Sequence, residues 1–65
     1  MKRHLIFVDK ETNEVIDRLE SNQIVETPNM GDLVVIKDVS YSVFIKMYEY
    51  AEKEIRIKFS LIRTE

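Results

Sequence analysis

Sixty-five residues with no cysteine, one glycine and one proline make one small domain that holds neither a disulfide nor a thiolate metal site, a composition suited to a reducing cytoplasm. A chain this short buries only about 60% of its unfolded surface, so it has no room for a deep catalytic cleft and relies on a small core or on association. The formal charge of -2, from 10 basic and 12 acidic residues, argues against a dedicated nucleic-acid binder, and no apolar run approaches the roughly 18 residues of a membrane span.

In chain order, Met1-Lys2-Arg3 leads into Leu5–Val8, whose four apolar residues before Asp9 are too few for a signal peptide. His4–Val8 is rich in β-formers and reads as a strand. Glu14–Leu19 alternates, with Val15, Asp17 and Leu19 on one face and Ile16 on the other. Residues 4–19 are therefore expected to form a hairpin around D-K-E-T-N-E, with Asn13 at the positive-φ position that closes such loops.

After a polar break at Glu20–Gln23, a short strand is expected at Ile24–Glu26. Pro28 and Gly31 predict a tight corner, Gly31 suiting the last position of a type I turn, and Leu33–Ile36 reads as a buried strand. The final third gives two strands with apolar odd positions: Tyr41, Val43, Ile45 and Met47, then Ile55, Ile57, Phe59 and Leu61. A helix competes, because Phe44, Met47, Tyr48, Ala51, Ile55, Phe59 and Ile62 recur at three- and four-residue spacing. The alternation in I-R-I-K-F-S-L decides for strands.

The expected fold is all-β, a single small barrel domain over residues 1–65: a five- to six-stranded SH3-like barrel or a strongly bent antiparallel sheet. An OB-fold fits less well, since no segment offers the helix usual between its third and fourth strands.

The pattern P-x-x-G-D-x-V-x-I followed by Y-x-V, formed by Pro28, Gly31, Asp32, Val34, Ile36, Tyr41 and Val43, resembles one in small uncharacterised SH3-like β-barrel proteins of phages and mobile elements in Gram-positive bacteria. Those proteins often have a glycine in the turn before the tyrosine, where this chain has Asp38-Val39-Ser40. The resemblance implies the fold and carries no activity or functional residue.

Residues 9–20, D-K-E-T-N-E-V-I-D-R-L-E, place oxygen side chains at positions 1, 3, 5, 9 and 12 of a calcium loop. Position 6, which needs glycine for the sharp turn, is Glu14, and no entering helix precedes Asp9. An acidic hairpin loop is the better reading. The single histidine, His4, builds neither a zinc pair nor a triad. Ser21, Ser40, Ser42 and Ser60 lack a glycine-rich elbow, and one glycine makes no phosphate loop. The chain is thus read as a non-enzyme with no cofactor and no metal.

What remains is a surface. Charge is uneven: from Asp9 to Asp38 eight acidic residues stand against three basic ones, Lys10, Arg18 and Lys37, whereas residues 41–65 carry five basic and four acidic. With odd positions inward, the even positions Phe44, Lys46, Tyr48 and Tyr50 would face outward beside Arg56 and Lys58, pairing Tyr50 with Glu54 and Tyr48 with Arg56. Aromatic and arginine side chains are enriched at protein interfaces and also stack on single-stranded bases. The expectation is a cytoplasmic protein-interaction module, an adaptor or inhibitor docking a protein partner or a second copy through this face. A single-stranded nucleic-acid platform is the alternative, disfavoured by the net charge, and closure of the face by a terminal segment into a second core is the bland reading.

Overall fold

The computed structural model describes residues 2–21 and 26–64. Five strands, β1 (Lys2–Asp9), β2 (Val15–Ser21), β3 (Leu33–Ile36), β4 (Val39–Tyr50) and β5 (Glu54–Arg63), form one sheet in the order β2-β1-β5-β4-β3. The sheet bends into a nearly closed barrel, consistent with a small SH3-like barrel. The bend brings the two edge strands towards each other: Lys37 Nζ, at the β3–β4 turn, reaches the Ile16 carbonyl of β2 at 3.5 Å. Residues 41–62 are strands joined by a tight turn, so the helical spacing loses to the alternation. The strand expected at Ile24–Glu26 falls, except for the unpaired Glu26, on residues outside those described.

Three pairs are antiparallel, and β1 runs parallel to β5. The sheet is therefore mixed, whereas antiparallel pairing throughout was expected of a bent sheet. The parallel pair sets Leu5 beside Ile57 and Phe7 beside Phe59. These four join Ile36, Tyr41, Val43 and Leu61 in the buried core, with Ile16, Val34, Val39 and Ile55 packed against it.

The turns follow local chemistry. In the β1–β2 hairpin Asn13 takes φ 63°, as expected, and its N–H donates to the Asp9 carbonyl at 2.7 Å. The Asp9 carboxylate accepts from the N–H groups of Glu11 at 2.8 Å and Thr12 at 3.4 Å, so its charge serves the loop. At the glycine corner the Asp32 N–H donates to the Asn29 carbonyl at 3.0 Å and Gly31 has φ 91°. The turn thus spans Asn29–Asp32 with Gly31 at its third position, where a type II turn needs positive φ, one place earlier than the expected type I arrangement. Between Ile36 and Val39, Lys37 (φ 51°) and Asp38 (φ 67°) form a two-residue loop. Both central residues carry the positive φ of a type I′ turn without a glycine.

The decisive irregularity lies in β4. Tyr41 pairs with Arg63 and Val43 with Leu61, but Ile45 pairs with Ser60, Lys46 with Phe59, Tyr48 with Ile57 and Tyr50 with Ile55. One extra residue, Phe44, is absorbed in a β-bulge. A one-residue shift moves every later side chain to the other face of the sheet.

Candidate partner-binding surface

Residues directly opposite each other in a sheet share a face, so the registers divide the expected site. Lys46, Tyr48 and Tyr50 stand on the concave face with Phe59, Ile57 and Ile55, while Arg56 and Lys58 stand on the outer face with Glu49 and Met47. Phe44, at the bulge, is half-exposed and lies under the Lys10 ammonium at 4.8 Å. The six residues expected on one outward face are not brought together. The physical reason is the bulge: without it, the register running from Tyr41 and Val43 would have set Tyr48 opposite Arg56.

On the concave side, Tyr48 and Tyr50 stack with ring centroids 6.3 Å apart at the open end of the core, around a hollow shared with Arg3 and Thr27. Lys46 is occupied: its ammonium donates to Thr27 Oγ1 at 2.7 Å and Asn29 Oδ1 at 3.1 Å while lying 5.4 Å from the Tyr48 ring centre. It ties the corner segment across the end of the barrel, so part of the expected binding face serves the core.

The outer face resolves into rows across β2, β1, β5 and β4. One row reads Glu20, His4, Arg56, Glu49; the next Arg18, Ile6, Lys58, Met47; the third Val15, Val8, Ser60, Ile45. The first row is polar throughout, and each member pairs with a group beside the row: Glu20 with Lys2, His4 and Arg56 with Glu54, and Glu49 with Lys58. Glu54 sits at its end, with Oε2 2.7 Å from His4 Nε2 and Oε1 2.6 Å from Arg56 Nη2. Lys58 Nζ reaches Glu49 Oε1 at 3.0 Å. Solvated pairs of this kind contribute little stability, and they orient the cations.

The second row alternates cations with apolar residues and the third is apolar except for Ser60, where the outside of a barrel is normally polar. Ile6 and Val8 are half-buried, while Val15, Ile45 and Met47 remain exposed. Together with Arg18, Arg56, Lys58 and Ser60 they line an open groove of about 600 Å³. Arg18 has no carboxylate within ion-pair distance among the described residues. Of the three cations at the groove, Arg56 is paired with Glu54 and Lys58 with Glu49, so Arg18 is the one uncompensated charge beside the apolar floor among the described residues.

Reading from the sequence missed Ile6, Val8 and Val15 as surface residues. The available signal was L-I-F-V in β1, apolar at consecutive positions and hence on both faces of the strand. Among the described residues no group of three or more His, Asp or Glu converges as metal ligands, and no helix is long and apolar enough to cross a membrane. Comparison of the chain with known protein families, curated proteins and solved structures finds no match. The class defined by fold and surface is a small all-β barrel with an apolar, cation-rimmed outer groove.

Proposed function

We propose that this protein is a non-enzymatic interaction module that docks a partner protein on the outer face of its C-terminal hairpin and the β1–β2 strands beside it. The observation that carries this reading is the apolar floor of exposed Val15, Ile45 and Met47 with half-buried Ile6 and Val8, framed by Arg18, Arg56 and Lys58. Exposed apolar patches rimmed by polar groups mark association sites, and arginine beside apolar surface suits a desolvated interface. The lack of cysteine supports action in the cytoplasm. Docking without catalysis would make the protein an adaptor or an inhibitor of its partner; the Pro28–Val43 pattern bears on the fold alone. A nucleic-acid platform is disfavoured by the net charge of -2, by the engagement of the Lys46 ammonium on Thr27 and Asn29 beside the Tyr48 ring, and by the separation of Arg56 and Lys58 from Tyr48 and Tyr50 on opposite faces.

The test is affinity capture from the source cell with the wild type, Met47→Glu, Arg18→Glu and Tyr50→Ala, with fold retention checked by circular dichroism. Partners should be lost with the first two variants and kept with the third. A partner set lost only with Tyr50→Ala would move the site to the concave end. Tight, salt-sensitive binding of an unstructured oligonucleotide, weakened by Arg56→Ala and Lys58→Ala, would replace the protein-binding reading.

A further inference from the structure

The edge of β4 beyond the bulge offers a second interaction surface, which borders the outer groove and shares Ile45, Met47 and Glu49 with it. β3 pairs only with Val39–Ser42, and Val43 completes that edge through Gly31 and Asp32. From Phe44 to Tyr50, no backbone group among the described residues pairs with this side of β4. The phase of the ladder says which groups are left over. The Ala51 N–H donates to the Glu54 carbonyl at 3.0 Å, so Ala51 and Glu54 form a hydrogen-bonded pair, and such pairs alternate along an antiparallel ladder. Met47 and Glu49 therefore bond to β5, while the N–H and C=O groups of Lys46, Tyr48 and Tyr50 point out from the edge.

The same stretch carries exposed apolar side chains on both faces, with Lys46 and Glu49 its only charges. Phe44, Ile45, Met47, Tyr48 and Tyr50 are all substantially exposed, Tyr50 at 76%. Natural edges are normally blunted by outward charge, proline or a bulge along their length. Here both charges are engaged within the chain, the Lys46 ammonium on Thr27 and Asn29 and Glu49 on Lys58, and the bulge at Phe44 stands at one end of the stretch only.

We infer that this edge pairs with the same edge of a second copy, antiparallel, about a two-fold axis at Tyr48, joining the two sheets into one. The register is determined by the residues themselves. Pairings that set odd against even positions would oppose the concave face of one copy to the outer face of the other. Among the rest, centring on Lys46 or on Glu49 would set like charges directly opposite, which is unfavourable. Centring on Met47 leaves the Tyr50 backbone beyond the matched stretch, against the bulge, and centring on Tyr50 runs the pairing past the end of β4 into residues 51–53, which are not strand. Centring on Tyr48 sets Tyr48 against Tyr48, each Lys46 against Tyr50 of the partner copy and each Met47 against Glu49, with no like charges opposed. It matches the outward N–H and C=O of all three residues in both copies. The second copy is thus the occupant whose backbone, faces and charges fit.

Sedimentation of the full chain over micromolar to millimolar concentration tests this, with two variants at the exposed Tyr50. Tyr50→Lys places a lysine opposite Lys46 twice across the axis and, with two like-charge pairs directly opposed, should weaken dimerisation by about tenfold. Tyr50→Glu places a carboxylate there and should keep the dimer. Val8→Lys, in the outer groove, should leave it unchanged, so failure of this inference and failure of the outer-groove reading are separable. Exchange of the Lys46, Tyr48 and Tyr50 amides should slow with concentration, while that of Met47 and Glu49 should not. A wild type that stays monomeric throughout, or a dimer weakened equally by Tyr50→Lys and Tyr50→Glu, would overturn the inference.

Discussion

Phe7 stacks on Phe59 with ring centroids 4.9 Å apart and planes inclined by 16°, across the parallel pair that joins the first strand to the last. This contact fastens the β1–β2 hairpin to the C-terminal strands, and Phe59 is fully buried.

Phe59→Ala should therefore cost about 3–5 kcal/mol through lost transfer energy and a cavity. A domain of this size has only about 3–5 kcal/mol in hand, so the variant should be largely unfolded at 25 °C by circular dichroism. Tyr50→Ala, at an exposed ring, should change stability by less than about 0.5 kcal/mol. Comparable losses for both variants would mean that the core is centred elsewhere.

The turns make opposite predictions in one assay. A Cβ on Gly31 would meet no heavy atom within 4 Å, so the cost of Gly31→Ala is that of φ 91° alone, about 1 kcal/mol or more in urea denaturation. Lys37 and Asp38 already bear this kind of strain. The double change Lys37→Asn with Asp38→Gly supplies the preferred type I′ residues and should raise stability by about 1 kcal/mol. A loss instead would show that the Lys37 contact to Ile16 outweighs the turn.

Asp9 separates loop architecture from metal binding. Because its side-chain oxygen accepts the Glu11 and Thr12 N–H groups, Asp9→Asn keeps an acceptor and should be nearly neutral, whereas Asp9→Ala should lose about 1 kcal/mol. The melting temperature should be the same in chelator and in millimolar calcium. A calcium-dependent rise that Asp9→Asn removes would make the loop a metal site.

Most strands were legible in the sequence because their signals are local. Leu33–Ile36, expected to be buried, is instead an edge strand with Leu33 and Val35 exposed, since an apolar run does not say how many neighbours cover it. Period-two alternation marked Ile55–Leu61, and Asn13 and Gly31 stood where positive φ was needed. The parallel partnership of β1 and β5 is non-local, and no residue in either strand announces it. The candidate surface was misassembled for a different reason. Val43-Phe44-Ile45 is apolar in both phases, so the alternation passes through it without a visible break. An extra residue can be absorbed there without burying a charge or exposing the core. Beyond it, the inward positions become Lys46, Tyr48 and Tyr50, amphipathic side chains that read equally well as surface. Glu49 was the residue that could have exposed the shift, since unbroken alternation would have turned it inward.

Which side chains share the outer face depends on that bulge, and so does the docking surface. Nuclear Overhauser contacts between Hα protons test it directly, because directly opposed residues in non-hydrogen-bonded antiparallel pairs have Cα atoms about 4.5 Å apart, against about 5.5 Å in hydrogen-bonded ones. The account predicts strong Hα–Hα contacts for Val43 with Leu61, Lys46 with Phe59, Tyr48 with Ile57 and Tyr50 with Ile55. Contacts of Ile45 with Phe59, Met47 with Ile57 and Glu49 with Ile55 would mean that β4 is unbroken, with Ile45 and Met47 inside, and would contradict it.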